Sequence, residues 1–111
     1  MPVHSTVHAG VCGFTTQIHA ACDAEQVVRF SVETDCPNIR RLADGLGDVD
    51  AYDEVGAGFD GAILTAARST LKGCCAGSVV PNALFKAMQV SAGLALPAAI
   101  QIEQRRDTDH P

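Results

Sequence analysis

The chain has no tryptophan, one tyrosine and four phenylalanines. Any core it builds must be aliphatic and rich in alanine. Positive charge is also scarce, with eight Lys and Arg against thirteen Asp and Glu, a net charge of −5. Neutralising phosphates takes clustered cations. Here only Arg40-Arg41 and Arg105-Arg106 are paired, each diluted by nearby acids, so a nucleic-acid partner is excluded. No apolar run approaches the ~18 residues that a membrane-spanning helix needs, so no membrane partner is expected. The opening residues, Met1-Pro2-Val3-His4-Ser5, lack the basic and long apolar segments of a signal peptide. A cytoplasmic location follows, where structural disulfides are rare. Five cysteines, an odd count, fit a closed disulfide framework poorly. The sequence contains no CxxC, no Gly-x-Ser-x-Gly nucleophile elbow, and no glycine pattern that would cradle a phosphate after a strand.

What remains is a chain of 111 residues, 47% hydrophobic, which is the size of one domain with a modest core. Its N-terminal third alternates. Val3, Ser5, Val7 and Ala9 interleave with His4, Thr6 and His8. Phe14, Thr16, Ile18, Ala20 and Cys22 interleave with Thr15, Gln17, His19 and Ala21, and Val28, Phe30 and Val32 interleave with Arg29, Ser31 and Glu33. A period of two with one apolar face predicts three half-buried strands. Asp23 to Glu25 supply a turn between the second and third.

The period then changes. Pro37 suits the first turn of a helix, where its missing N–H costs nothing. Ile39, Leu42, Ala43 and Leu46 follow on one face, and Gly45 and Gly47 end the segment. Val49 to Val55 predicts a short helical turn. Asp48, Asp50, Asp53 and Glu54 read as a solvated acidic face, and Asp60 as the N-cap of a helix carrying Ile63, Leu64, Ala67 and Leu71. Pro81 to Ala92 predicts a largely buried helix stopped by Gly93 and Pro97. Ala98 to Glu103 alternates again, as a last strand with Ile100 and Ile102 inward. The fold class is therefore α+β: a small, mainly antiparallel sheet with about three helices on one face and a C-terminal strand. One domain spans 1–111, with an ordered core of about 3–103 and a flexible tail at 104–111.

The cysteines carry the chemistry. Cys22 shares a strand face with Phe14 and Ile18 and reads as core. Cys36 stands at a helix start, where the dipole and free N–H groups favour a thiolate; the plainer reading is a helix cap. Cys12 lies between Gly10 and Gly13, free to aim its sulfur at a ligand or merely to fill a turn. Cys74 and Cys75 follow a helix-ending glycine, and adjacent cysteines do not easily both face a core. Thiolates at helix starts suit zinc or an iron–sulfur cluster. Four ligands are available as Cys12, Cys36, Cys74 and Cys75, or as three of these with Ser78 or His8. His4, His8 and His19 otherwise read as solvent-facing strand residues and His110 as part of the tail.

The pattern GVC, a hairpin, DCPN, a helical stretch, and a Cys ahead of a proline-started helix resembles the four-cysteine TSCPD domain associated with ribonucleotide reductases. The stretches GVCGFTTQIHA, DCPNIRRLADGL and VPNALFKAMQVSAGLALP are similar to a small uncharacterised family of anaerobic bacteria and archaea. Its members usually carry CPVP where this chain has Ser78-Val79-Val80-Pro81. The likeness covers about residues 10–103. It implies that Cys12, Cys36 and Cys75 match three family cysteines, with the fourth replaced by Ser78 and compensated by Cys74.

Three functions follow as expectations: cysteine-dependent metal binding; metal-free thiol redox or sulfur-carrier chemistry through Cys36 or Cys75; and a non-catalytic interaction module whose site has degenerated. None names a catalytic residue. The apolar helix near Ala83–Pro97 also predicts a homodimer through that helix or a sheet edge.

Overall fold

The computed structural model describes residues 2–107. The alternating N-terminal third forms β1 (Val3–His8), β2 (Thr15–Cys22) and β3 (Val27–Thr34). They pair antiparallel, with Val3 opposite Ala20, His8 opposite Thr15, Thr16 opposite Thr34 and Cys22 opposite Val28. The period of two sends Val7, Thr16, Ile18, Ala20, Val28 and Val32 inward, where all are buried. His4, Thr6, His8, His19, Arg29, Ser31 and Glu33 stay exposed on the other face. At the turn after β2, the Asp23 carboxylate accepts from the N–H groups of Glu25 (2.8 Å) and Val27 (3.0 Å), as turn chemistry favours.

Helices α1 (Pro37–Gly45), α2 (Ala51–Ala57), α3 (Ala62–Thr70) and α4 (Val80–Ser91) follow. The inward face of the sheet is covered by α1 over β3 and by α4 over β2 and β1, with α3 between α1 and α4. Ile39, Leu42, Ile63, Leu84 and Met88 bring their side chains into one cluster with Ile18 and Val28, each full burial contributing roughly 1.5–3 kcal/mol. At the end of α4, Gly93 takes φ +76° and donates to the Val90 carbonyl (3.1 Å), while Leu94 donates to Gln89 (2.8 Å). That pair of bonds needs a left-handed residue, hence glycine.

The architecture is α+β, but it departs from expectation in three places. Among the described residues there are four α-helices instead of about three, because the stretch read as one helical turn is a two-residue strand, β4 (Val49–Asp50), running into α2. Second, β4 is the last strand, pairing with Val27 and Val28, while the expected C-terminal strand at 98–103 is absent. Ile100 and Ile102 are exposed there, and among the described residues no strand pairs with this segment. Third, the acidic cluster is not simply a wet face. Asp50 caps α2, accepting from the Asp53 N–H at 3.0 Å, and Glu54 is only 4% exposed. The Glu54 carboxylate, not Asp60, satisfies the start of α3, accepting from Ala62 N–H at 2.7 Å and Ile63 N–H at 2.9 Å. The sequence pattern could not show this, because donor and acceptor belong to different helices. His110 and the end of the expected tail lie outside the described residues.

Replacing Glu54 with Ala leaves two N–H groups at a buried helix start without an acceptor and should cost about 2–4 kcal/mol. At Gly61 an added Cβ would stand 2.8 Å from the Glu54 carboxylate, so Gly61→Ala should cost about 1–2 kcal/mol by pushing the cap away. In urea denaturation the two substitutions should be clearly less than additive, since the second has no cap left to displace. Full additivity would show that Glu54 does not hold α3.

Candidate functional site

The register of the sheet decides which cysteines can meet. His8 faces Thr15 and Thr16 faces Thr34, so the turn after β1 and the exit of β3 lie at one end of the sheet. Cys12 sits in that turn, Gly10–Cys12, closed by Ala9 N–H to Phe14 carbonyl (3.0 Å) and Gly13 N–H to Gly10 carbonyl (2.9 Å). Cys36 follows the exit of β3. Cys22, opposite Val28 at the start of β3, lies at the other end, about 20 Å away at ~3.3 Å per strand residue. It is half-buried and its thiol donates to the Gln26 side chain at 3.0 Å. Cys22 therefore belongs to the turn it abuts and not to the site.

Cys36 is the N-cap of α1, in extended conformation at φ −77°, ψ 118°, with Pro37 as the first helical residue. Its carbonyl accepts the first bond of the helix from Arg40 N–H at 2.9 Å. Its N–H donates to the Thr34 hydroxyl oxygen at 3.2 Å, and that oxygen also receives the Thr16 hydroxyl at 3.0 Å. Thr16 is buried, so its hydroxyl needs this partner. The two threonines thereby fasten the helix start to the end of the sheet and hold Cys36 half-buried against the core.

Cys74 and Cys75 lie in a tight helical turn, Gly73–Gly77, between α3 and α4. Leu71, just before it, is buried and fixes where the turn emerges. Cys74 is exposed and Cys75 half-buried. The Cys75 sulfur accepts from the Asn38 side-chain N–H at 3.0 Å, and the Asn38 carbonyl oxygen accepts from Arg41 at 2.9 Å. The guanidinium can only donate, so it selects the amide orientation that turns N–H toward sulfur. Cys36 and Cys75 thus flank the first turn of α1, one as its cap and the other bound to the side chain two residues along.

The other candidates are less closely drawn in. Cys12 is exposed and next to a fully exposed Val11. The Ser78 hydroxyl accepts from the Val80 N–H at 3.2 Å, which occupies it with the start of α4. His8 is exposed on the sheet's open face beside Thr15 (3.4 Å), whereas Cys36 and Cys75 pack against the core on the helix side. Among the described residues, no three His, Cys, Asp or Glu side chains are grouped closely enough to hold a metal ion. Asn38, Thr16 and Thr34 were missed from the sequence. The Asn two residues after Cys36 was visible, but nothing in the linear order tied it to a sulfur 37 positions away.

No helix among the described residues is long and apolar enough to cross a membrane. A family model of unknown function, DUF6951, matches residues 3–104, and the chain belongs to that family. No curated protein and no solved structure matches it.

Exposure divides the thiols. Under native alkylation with mass-spectrometric readout, Cys12 and Cys74 should label at least about tenfold faster than Cys22, Cys36 and Cys75, because reaction requires access as well as thiolate character. Equal rates for all five would contradict the half-burial of the inner three.

Proposed function

We propose that this member of a family of unknown function binds a thiophilic metal, zinc or an iron–sulfur cluster, through cysteines at one end of its sheet. The observation that carries this reading is the Asn38–Cys75 hydrogen bond of 3.0 Å. It ties the Cys74-Cys75 turn to the helix start capped by Cys36, at the end of the sheet where the Cys12 turn also lies. Cys36 and Cys75 are the inner ligands. Cys12 and Cys74 are carried on exposed turns bordered by glycines at positive φ, Gly13 and Gly73, and metal binding draws those turns in. Ser78 would complete the set only by releasing the Val80 N–H. The resemblance of GVC and DCPN to the TSCPD pattern supports the same ligands. All five cysteines are free, which suits a reducing cytoplasmic setting.

A second reading has its own support. Cys75 with a single amide donor and no gathered ligand set is also what a reactive thiol requires, so sulfur transfer or thiol exchange without metal is the alternative.

One set of variants separates the two. If a metal is bound, protein purified anaerobically should carry it in stoichiometric amount by elemental analysis. Cys36→Ser, Cys75→Ser and Cys12→Ser should each lower metal content and stability together, because ligand loss is folding-energy loss. Cys22→Ser should lower stability by about 1–3 kcal/mol and leave metal content unchanged. Metal-free protein from zinc- and iron-replete anaerobic preparations, with Cys12→Ser inconsequential, would remove the metal reading. Asn38→Ala should then slow Cys75 alkylation if the thiol reading holds, and a rate that is unchanged or faster would remove that as well.

A further inference from the structure

The segment after α4 has the alternation of a strand but, among the described residues, no strand partner. Residues 93–107 are all exposed, with Leu96 at 89%, Ile100 at 61% and Ile102 at 65%. The Gln101 amide donates to the Glu103 carboxylate at 2.8 Å, so residues 101 and 103 share a side. An extended backbone accounts for that shared side, and alternation would then put Ile100 and Ile102 together on the opposite side. These residues lie within the stretch that the family model matches, 3–104. They belong to an elongated molecule. It measures 57 × 27 × 25 Å with a radius of gyration of 14.8 Å, against about 13 Å for a compact chain of this length.

The sheet has two open edges, and they are not equivalent. Beside β3, the Gln26 carbonyl accepts from Ala51 N–H (2.9 Å), β4 pairs with Val27 and Val28, and the Arg40 guanidinium covers the Val32 carbonyl (2.6 Å). That edge is guarded. Along β1, the Ala9 N–H bonds across to Phe14, so by alternation Val3, Ser5 and Val7 turn their amides toward β2. His4, Thr6 and His8 turn theirs outward. Among the described residues these groups make no hydrogen bond, and no strand lies on the outer side of β1. A long bare edge is a template for another strand, and folded proteins seldom leave one unmanaged.

We propose that residues 98–103 of a second copy add to the outer edge of β1, reciprocally, forming a twofold dimer with exchanged C-terminal strands. Six residues meet the six of β1. The segment leaves α4, which packs on β1 and β2, so its root lies on the β1 side of the molecule. In the added strand Ile100 and Ile102 face the helix layer beside α4, and Gln101 and Glu103 join the polar face with His4, Thr6 and His8. Such a carboxylate beside histidines is a favourable cross-strand pairing. The same addition removes two unsatisfied features at once, the apolar segment and the bare edge.

Light scattering and sedimentation across a wide concentration range should give a mass of twice the 11.6 kDa of one chain. The double variant Ile100→Lys, Ile102→Lys alters only exposed positions and should weaken association at least about tenfold. Thr6→Pro removes an outward N–H while leaving the ladder to β2 intact, and should do the same. Mixing the two variants should restore dimer in part, since one sound segment then meets one sound edge. Amide exchange at His4, Thr6 and His8 should slow as concentration rises. A strict monomer, a dimer that survives either variant, or protection independent of concentration would each overturn the proposal.

Discussion

The Glu54 carboxylate holds the middle of the helix layer in place. Burying a charge this deeply is unfavourable unless it is paired or hydrogen-bonded. Here it meets two backbone donors and the positive end of α3. Gly61 is the residue that lets it approach, since any Cβ there would touch the carboxylate. Because α3 lies between α1 and α4, fixing its start also sets where its other end delivers Leu71 and the Cys74-Cys75 turn. A structural cap thus reaches the candidate site through one nine-residue helix.

The site itself rests on small polar bonds more than on packing. Thr16, Thr34 and the Cys36 N–H form one chain, and Arg41, Asn38 and Cys75 form another. Each side chain satisfies a group that would otherwise be buried or poorly oriented. Together they anchor two thiols on either side of the first turn of α1 and leave the remaining two on exposed turns. That division into a held pair and an exposed pair suits a site assembled around a ligand, and it suits equally a reactive thiol with an exposed neighbour.

The sheet is covered on one face only. Its open face is polar, so no large apolar surface is left there. The unbalanced features lie at the margins, in the bare edge of β1 and the apolar segment beyond Gly93. The segment at 98–103 has the alternation of a strand but forms none. A sequence pattern reports what a segment can bury, and the partner is a separate matter.

The sequence by itself determined the first three strands, the proline-marked first turns of α1 and α4 and the glycine end of α4, because periodicity and turn chemistry are local. It also determined which thiols stand at turns and helix starts. Only the tertiary structure decided that Glu54 caps α3, that Asn38 meets Cys75, that Ser78 serves α4, and that β4 pairs with β3 while residues 98–103 join no strand among those described. Each of these depends on atoms far apart in the chain brought together by packing. A pattern of apolar and polar residues carries no record of such pairings, since the same carboxylate or thiol reads identically whether it meets water or a backbone N–H.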